Sequence, residues 1–375
     1  MIKQDAMPLN ELFAEGRRQL NICNACRYCE GYCAVYPALE RRAELSDAEL
    51  AHLANLCHDC RDCLYACMYA TPHEFAVDPP ALFDALRRAP GGVGRGRLPR
   101  LHAPHVLALV LGLASGVAGI TFLLVATTAP GGLGSLTASG GAARSPYSVI
   151  PYPALVGWSG GVALVAIVLM AVSGLRYWRS IHGSWRDLGR MPSWSRALGY
   201  AATLRYQRGG GDECSYPGPE PSAARRRAHA LVSYGFATCL ASTISAGTLQ
   251  DGLGRVPPYS WMSVPVILGL LGGSMILTGA PALMVLKHRN RVRSGYPSAH
   301  PADMGFLVAL CVLAASGLLT LLLRTTPAFG AMFLLHLIAV VTCFAVAPFT
   351  SFPHFIYRYL SIVQDNLERD VPSDA

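Results

Sequence analysis

The sequence predicts an all-α protein in two parts, a small cysteine-rich helical head followed by a six-helix transmembrane bundle. Three observations carry that prediction. The chain has 375 residues, 52% hydrophobic and only 14% charged, against roughly 25% charged in an ordinary soluble domain. The apolar residues fall into long blocks between 105 and 350, whereas residues 1–103 contain no long apolar run. Eight of the twelve cysteines lie in the first fifth of the chain. The formal net charge is +8, from 31 Lys and Arg against 23 Asp and Glu, and in so apolar a chain this balance points to a membrane surface and not to nucleic acid.

The head is expected over residues 1–80. Its start, MIKQDAMPLNELFAEGRRQL, is interrupted by Asp5, Asn10, Glu11, Glu15, Arg17 and Arg18, so it lacks the apolar core of a signal peptide and is expected to stay in the cytoplasm. Cys23, Cys26, Cys29 and Cys33 spell CNACRYCEGYC, and Cys57, Cys60, Cys63 and Cys67 spell CHDCRDCLYAC. Both are CxxCxxCxxxC, in which three closely spaced thiolates on one loop each reach a corner iron of a cubane. Structural zinc sites use separated CxxC pairs and have no role for a third cysteine at that spacing, and disulfides are disfavoured in the cytoplasm. The head thus reads as a helical two-cluster ferredoxin domain with two [4Fe-4S] clusters. In such domains the fourth cysteine of each run binds the other cluster, giving Cys23, Cys26, Cys29 and Cys67 as one set and Cys57, Cys60, Cys63 and Cys33 as the other. Residues 36–56 read as helical linkage, with Ser46 and Glu49 in capping-box spacing.

A basic linker (81–103) leads to a membrane domain (104–355) with a cytoplasmic loop at 177–228, and residues 356–375 read as a cytoplasmic tail. Spans of about 20 apolar residues are predicted at about 105–127, 155–175, 230–249, 263–286, 305–323 and 331–349. The third leans on Ser, Thr and Gly, which suits an interior helix. Basic residues crowd one set of connections: Arg87, Arg88, Arg95, Arg97 and Arg100, then ten arginines between Arg176 and Arg227, then Lys287 to Arg293, then Arg358. The alternate connections hold only Arg144, Arg255 and Arg324. Both termini and the head are therefore expected on the cytoplasmic side of a bacterial inner (plasma) membrane. Trp178, Trp185 and Trp194 among arginines suggest a segment lying at the lipid headgroups, and Gly209 to Gly211, without a phosphate-loop Lys, reads as a flexible connection.

Ionisable residues at membrane depth call for a functional reading. His336 and His354 are eighteen residues apart, five helical turns, and are expected on one face of the last helix, roughly 27 Å apart. His229 opens the third span at the depth of His354, and this pair is the first choice for the two axial ligands of a haem b. His336 is a further candidate haem ligand, for an outer haem, but finds no second histidine at its depth, and His105 is a reserve ligand for the inner haem. His52 and His102 read as solvated.

The double cysteine run, six spans, the loop RGGGDECSYPGPEPSAARRRAH leading into SYGF, and the ending HLIAVVTCFAVAPFTSFPHFIYR together resemble the citrate/tricarballylate utilization protein B family over nearly the whole chain. The last helix is also similar to the cytochrome b subunit of respiratory nitrate reductase. The resemblance implies a membrane electron-transfer protein that reoxidises the FAD of a separate tricarballylate dehydrogenase and passes electrons through two [4Fe-4S] clusters and haem b to quinone. By the same resemblance the eight head cysteines match cluster ligands, and His229 and His354 match haem positions. Ala230 stands where the family carries a second histidine beside His229, which leaves His229 without an alternative, and Gln250 and Asp251 stand where it carries one near the outer end of the third helix, which argues against an outer haem.

No nucleotide fingerprint, Ser/His/Asp set or HExxH motif is present, so no reaction on an organic substrate is expected in this chain. The alternatives are an electron-transfer module for another flavoenzyme, such as a precorrin hydroxylase, a zinc-binding membrane anchor without redox role, and a tricarboxylate transporter. The last is disfavoured because the spans lack paired internal basic residues.

Overall fold

In a computed structural model of the chain, residues 7–89, 103–138, 142–209, 211, 213–294 and 301–370 are described. Most of the expected basic linker, and the side chain of His105, lie outside the described residues. The head contains α1 (Leu9–Cys26), α2 (Val35–Glu40), α3 (Asp47–Leu56), α4 (Asp62–Tyr65) and α5 (Pro79–Arg88). The spans are α6 (Ala103–Thr128), α7 (Tyr152–Ser180), α9 (Ala224–Gly247), α10 (Val264–Ser294), α11 (Pro301–Leu322) and α12 (Phe329–Val346). Outside them lie α8 (Met191–Ala202), α13 (His354–Arg369) and a two-residue ladder of β1 (Cys214–Ser215) with β2 (Pro221–Ser222). Six helices are long and apolar enough to cross a membrane, and the chain is an all-α membrane protein with a small helical head.

Local sequence explains the head's helices. Ser46 caps α3, its hydroxyl accepting from the Glu49 amide while the Glu49 carboxylate accepts from the Ser46 amide, the reciprocal box that satisfies two orphan donors. Asp78 caps α5 through the Ala81 amide. Leu12, Leu20, Leu50, Leu53, Leu82, Phe83 and Leu86 from three helices close one core. That core does not stop at the head: it continues into Tyr177 and Trp178 at the end of α7, Ala197 of α8, and Tyr357, Ile362 and Val363 of α13. The segment after 355 is thus a packed amphipathic helix, tied to the head by Arg41 to Asp365 and by Arg42 to Glu368 at 2.8 Å.

Four expectations are corrected. His336 and His354 do not share a helix: α12 ends at Val346, a short 3-10 turn carries Pro348, and α13 begins after Pro353. Proline has no amide hydrogen to donate and clashes with the carbonyl four residues back, which breaks the run. The third span is not interior but the least buried of the six. Its small residues serve a single close neighbour, since a Cβ at Gly235 would lie 2.9 Å from the Gly272 carbonyl oxygen and one at Gly279 would lie 2.7 Å from that of Ala228. Trp178 does not lie at a surface: it is buried, with Trp194 at 5.6 Å and Tyr359 packed beyond. His52 is buried in the head core, not solvated.

Candidate functional site

The last turn of α1 presents Cys23 and Cys26, and the helix stops at Arg27, whose left-handed backbone (φ 56°) returns its amide to the Cys23 carbonyl. The chain then turns through Cys29 and Cys33 into α2. The second run begins at the end of α3 with Cys57, passes two more left-handed residues, Asp59 (φ 55°) and Arg61 (φ 68°), and enters α4 with Cys63. Left-handed backbone at non-glycine residues costs of order 1 kcal/mol each, and here side-chain ties hold it. Arg61 bonds Asp59 at 3.1 Å and Asn290 of α10 at 2.7 Å.

Two cavities result, and their walls sort the cysteines. One is lined by Cys23, Cys26, Cys29, Cys63 and Cys67, the other by Cys33, Cys57, Cys60 and Cys63. The fourth cysteine of each run therefore faces the other run's cavity. Electrostatics repeats the sorting: burial pushes Cys23 up to about 12, with Cys67, Cys29 and Cys26 adding to it. Cys33 is raised by burial and then by Cys60 and Cys57. Cys63 and Tyr36 line both cavities, so the two sites share a wall. Thiols held this high ionise only against strong positive charge, which iron supplies. Among the described residues no three metal-binding side chains converge on a single ion.

A ninth cysteine lies beside the second cavity. Cys214 of β1 is buried, donates to the Gln207 carbonyl at 2.9 Å and hydrogen-bonds Cys60. Asp62 of α4 accepts from the Ser215 amide at 2.7 Å. Gly209 belongs to this docking and is not a flexible connection. Its φ is +57°, and a Cβ there would lie 1.6 Å from the Asp62 carboxylate, so only glycine fits. The long loop was legible as a loop, but nothing in its spacing marks Cys214 as a neighbour of Cys60.

At the bundle end under the head, α9 and α13 bring His229 and His354 together, ring centroids 6.3 Å apart and planes at 85°. Two imidazoles bound to opposite sides of one metal at about 2 Å, with each centroid about 1.1 Å behind its nitrogen, stand roughly 6 Å apart. The Nδ1 of His354 lies 2.8 Å from the Ser351 carbonyl. A carbonyl only accepts, so Nδ1 carries the proton and Nε2 keeps its lone pair. Burial, with Arg358 next, lowers the imidazole of His354 to about 4 and keeps it neutral. The Nδ1 of His229 is likewise engaged, by Ser233 at 3.1 Å. Ser351 is itself held, its hydroxyl donating to Asp303 at 2.7 Å, while Arg88 of the head and Lys287 each reach Asp303 at 3.1 Å. Phe236, Phe306, Phe352 and Phe355 form an aromatic wall beside the pair. His336 is not brought to another histidine: it packs on α11, with Ser316 at 3.0 Å and Gly317 giving it room.

His58 joins the two regions. It lines the second cavity, its Nδ1 bonds the Leu56 carbonyl at 2.8 Å, and burial followed by Arg358 lowers it well below the usual imidazole range.

The sequence models of two families match the chain: one described as Citrate utilization protein B over residues 102–375, the other as Citrate utilization protein B Fer4-like domain over residues 16–91. A relative named Citrate utilization protein B from Escherichia coli is 35% identical over 373 residues, 97% of this chain and 95% of that one. No solved structure matches.

Proposed function

Because the chain belongs to the citrate utilization protein B family, we propose that it is the membrane electron-transfer partner of a separate FAD-dependent tricarballylate dehydrogenase. In this reading it serves tricarballylate or citrate-related utilization by reoxidising the reduced FAD and delivering the electrons to quinone. The family's Fer4-like head is the basis for iron–sulfur chemistry. Two [4Fe-4S] clusters and one haem b supply one-electron steps when bound.

The observation that carries the haem assignment is the His229–His354 pair, 6.3 Å between centroids with both Nδ1 atoms engaged elsewhere. The rest is the work of the chain's own side chains. Cys23, Cys26, Cys29 and Cys67 form the outer thiolate set, and Cys33, Cys57, Cys60 and Cys63 the set next to the bundle. His58 lines the cavity of that second set, and Arg358 acts electrostatically on His58 and on both imidazoles. The asymmetry of the arginines supports placing the head on the cytoplasmic side of a bacterial inner membrane.

Membranes from an expressing strain are expected to show a dithionite-reducible b-type band and low-temperature paramagnetic signals of two reduced [4Fe-4S] clusters. His229→Ala and His354→Ala should each remove the band and leave the cluster signals. Zinc without iron in the purified protein, or a haem band retained in both variants, would defeat the reading. Added tricarballylate dehydrogenase and its substrate should reduce the band only in membranes containing this chain.

A further inference from the structure

Where the head meets the bundle, Arg358 is left without an acceptor among the described residues. Arg358 stands one turn after His354 on α13, and Arg225 one turn before His229 on α9. Positions four apart share a helix face, so each of the facing imidazoles has an arginine beside it. The two arginines are used differently. Arg225 donates to the Asp59 carbonyl at 2.6 Å, lies 4.0 Å from the Asp59 carboxylate and stacks on Tyr216 at 4.8 Å. Arg87, a third cation here, bonds the Cys57 carbonyl at 3.3 Å and pairs with Asp84 at 3.5 Å. Arg358 makes no hydrogen bond, ion pair or ring contact among the described residues. Its surroundings are hostile to charge: burial, with Arg87 next and Arg225 behind, pulls the guanidinium down to about 9. The negative groups that favour its charge are Cys57, assigned above to iron, and Asp59, already engaged by Arg61 and Arg225.

Arg358 is part-buried; a guanidinium partly withdrawn from water without a counter-ion is unfavourable, and its planar fork matches a carboxylate with two parallel bonds. We propose that Arg358 is the seat of a carboxylate carried by the group held between His229 and His354, that is, a haem propionate. This rests on the haem reading above. Four residues place the backbone of Arg358 about 6 Å along α13 from that of His354 and on the same face, so the long Arg358 side chain can extend toward the rim of a macrocycle held by the imidazole pair. Arg225, already spoken for by Asp59, cannot serve in its place without giving up the tie to the second cysteine run.

The test uses the full-length chain in detergent, as wild type, Arg358→Gln and Arg358→Lys, loaded with haem b or with its dimethyl ester. The readouts are the rate of haem transfer to apomyoglobin, the haem midpoint potential and the cluster signals. Arg358→Gln should lose haem at least about tenfold faster than wild type, the loss expected when one partner of a buried charge pair is removed, and its haem potential should fall because a positive charge that favours the reduced form is gone. Arg358→Lys should lie between, and the cluster signals should not move. Wild type should lose the dimethyl ester as fast as Arg358→Gln loses haem, and Arg358→Gln should no longer distinguish the two. A glutamine variant that shifts the second cluster's potential while holding haem normally would make Arg358 a counter-ion of the cluster and overturn the proposal. Should that variant fail to fold, a wild type that holds both haems equally well overturns it just as surely. A wild-type chain that binds no haem, or binds it without His229 and His354, instead defeats the reading beneath.

Discussion

The eight head cysteines are legible in the sequence because cluster chemistry itself sets their spacing: three thiolates must reach three irons from one short loop. No such rule governs Cys214, which reaches Cys60 through the fold of a loop that begins after α7. In the structure the one proton of Cys214 goes to the Gln207 carbonyl and Cys60 donates to Cys214; with iron bound, Cys60 would be a thiolate, and the Cys214 proton is then expected to turn from the carbonyl to that sulfur. A hydrogen bond to a cluster sulfur favours the reduced state, so Cys214→Ala is expected to lower the midpoint potential of the second cluster and leave the first unchanged. One hydrogen bond of about 1 kcal/mol corresponds to about 40 mV for a one-electron couple. A redox titration followed by paramagnetic resonance checks this, and an unchanged potential with the cluster retained would remove Cys214 from any tuning role. The histidines divide in the same way. The pairing of His229 with His354 was legible from matching depth, while Ser351 and Asp303, which fix the ring of His354, were not, because no local pattern links a turn at 351 to the start of α11.

At the scale of elements, hydropathy located all six spans, since twenty apolar residues cannot be hidden in a sequence. It could not say how they pack. The small residues of α9 suggested an interior helix, whereas they allow one intimate pairing with α10. Gly279 is the tightest point of that pairing beside the candidate haem site: a Cβ there would lie 2.7 Å from the Ala228 carbonyl and 2.8 Å from Leu231. Backbone on the far side cannot rotate away as a side chain can, so Gly279→Ala must push α9 outwards at the residue before His229. We expect this single methyl group to weaken or abolish haem retention while both cluster signals persist, since the cysteine runs are carried by the head's own helices and loops, although Cys60 shares an apolar cluster with Ile276 and Ala280 of α10. A destabilisation of roughly 1–3 kcal/mol is typical of overpacking. Haem content per protein against cluster content measures it directly, and an equal fall of both would mean that the bundle as a whole had failed instead.

For the whole molecule the sequence offered a head, a linker and a tail, as if the head were tethered loosely to the membrane body. Composition reads separate parts wherever charge and apolar content change, but it is blind to contacts between them. The head's core runs on into α7, α8 and α13, and polar ties close the seam: Arg61 to Asn290, Arg225 to Asp59, Arg88 to Asp303, Arg42 to Glu368. A fixed seam matters for electron transfer, because the second thiolate set must stay at one distance from the imidazole pair. Asp59 is the centre of that seam. Burial alone would raise its carboxyl, but Arg61 and then Arg225 hold it below the usual carboxylate range. Asp59→Asn would leave two largely desolvated guanidiniums short of their anion, a loss of roughly 3 kcal/mol or more by analogy with broken buried pairs. All eight cysteines and both histidines remain, so cluster and haem spectra should be retained. What should change is their communication: reoxidation of the dithionite-reduced clusters by a soluble quinone analogue should slow several-fold, and the head should become more sensitive to added protease. Unaltered reoxidation together with unaltered proteolysis would show that the apolar core alone fixes the head, and that the ion pairs of the seam are incidental to the path.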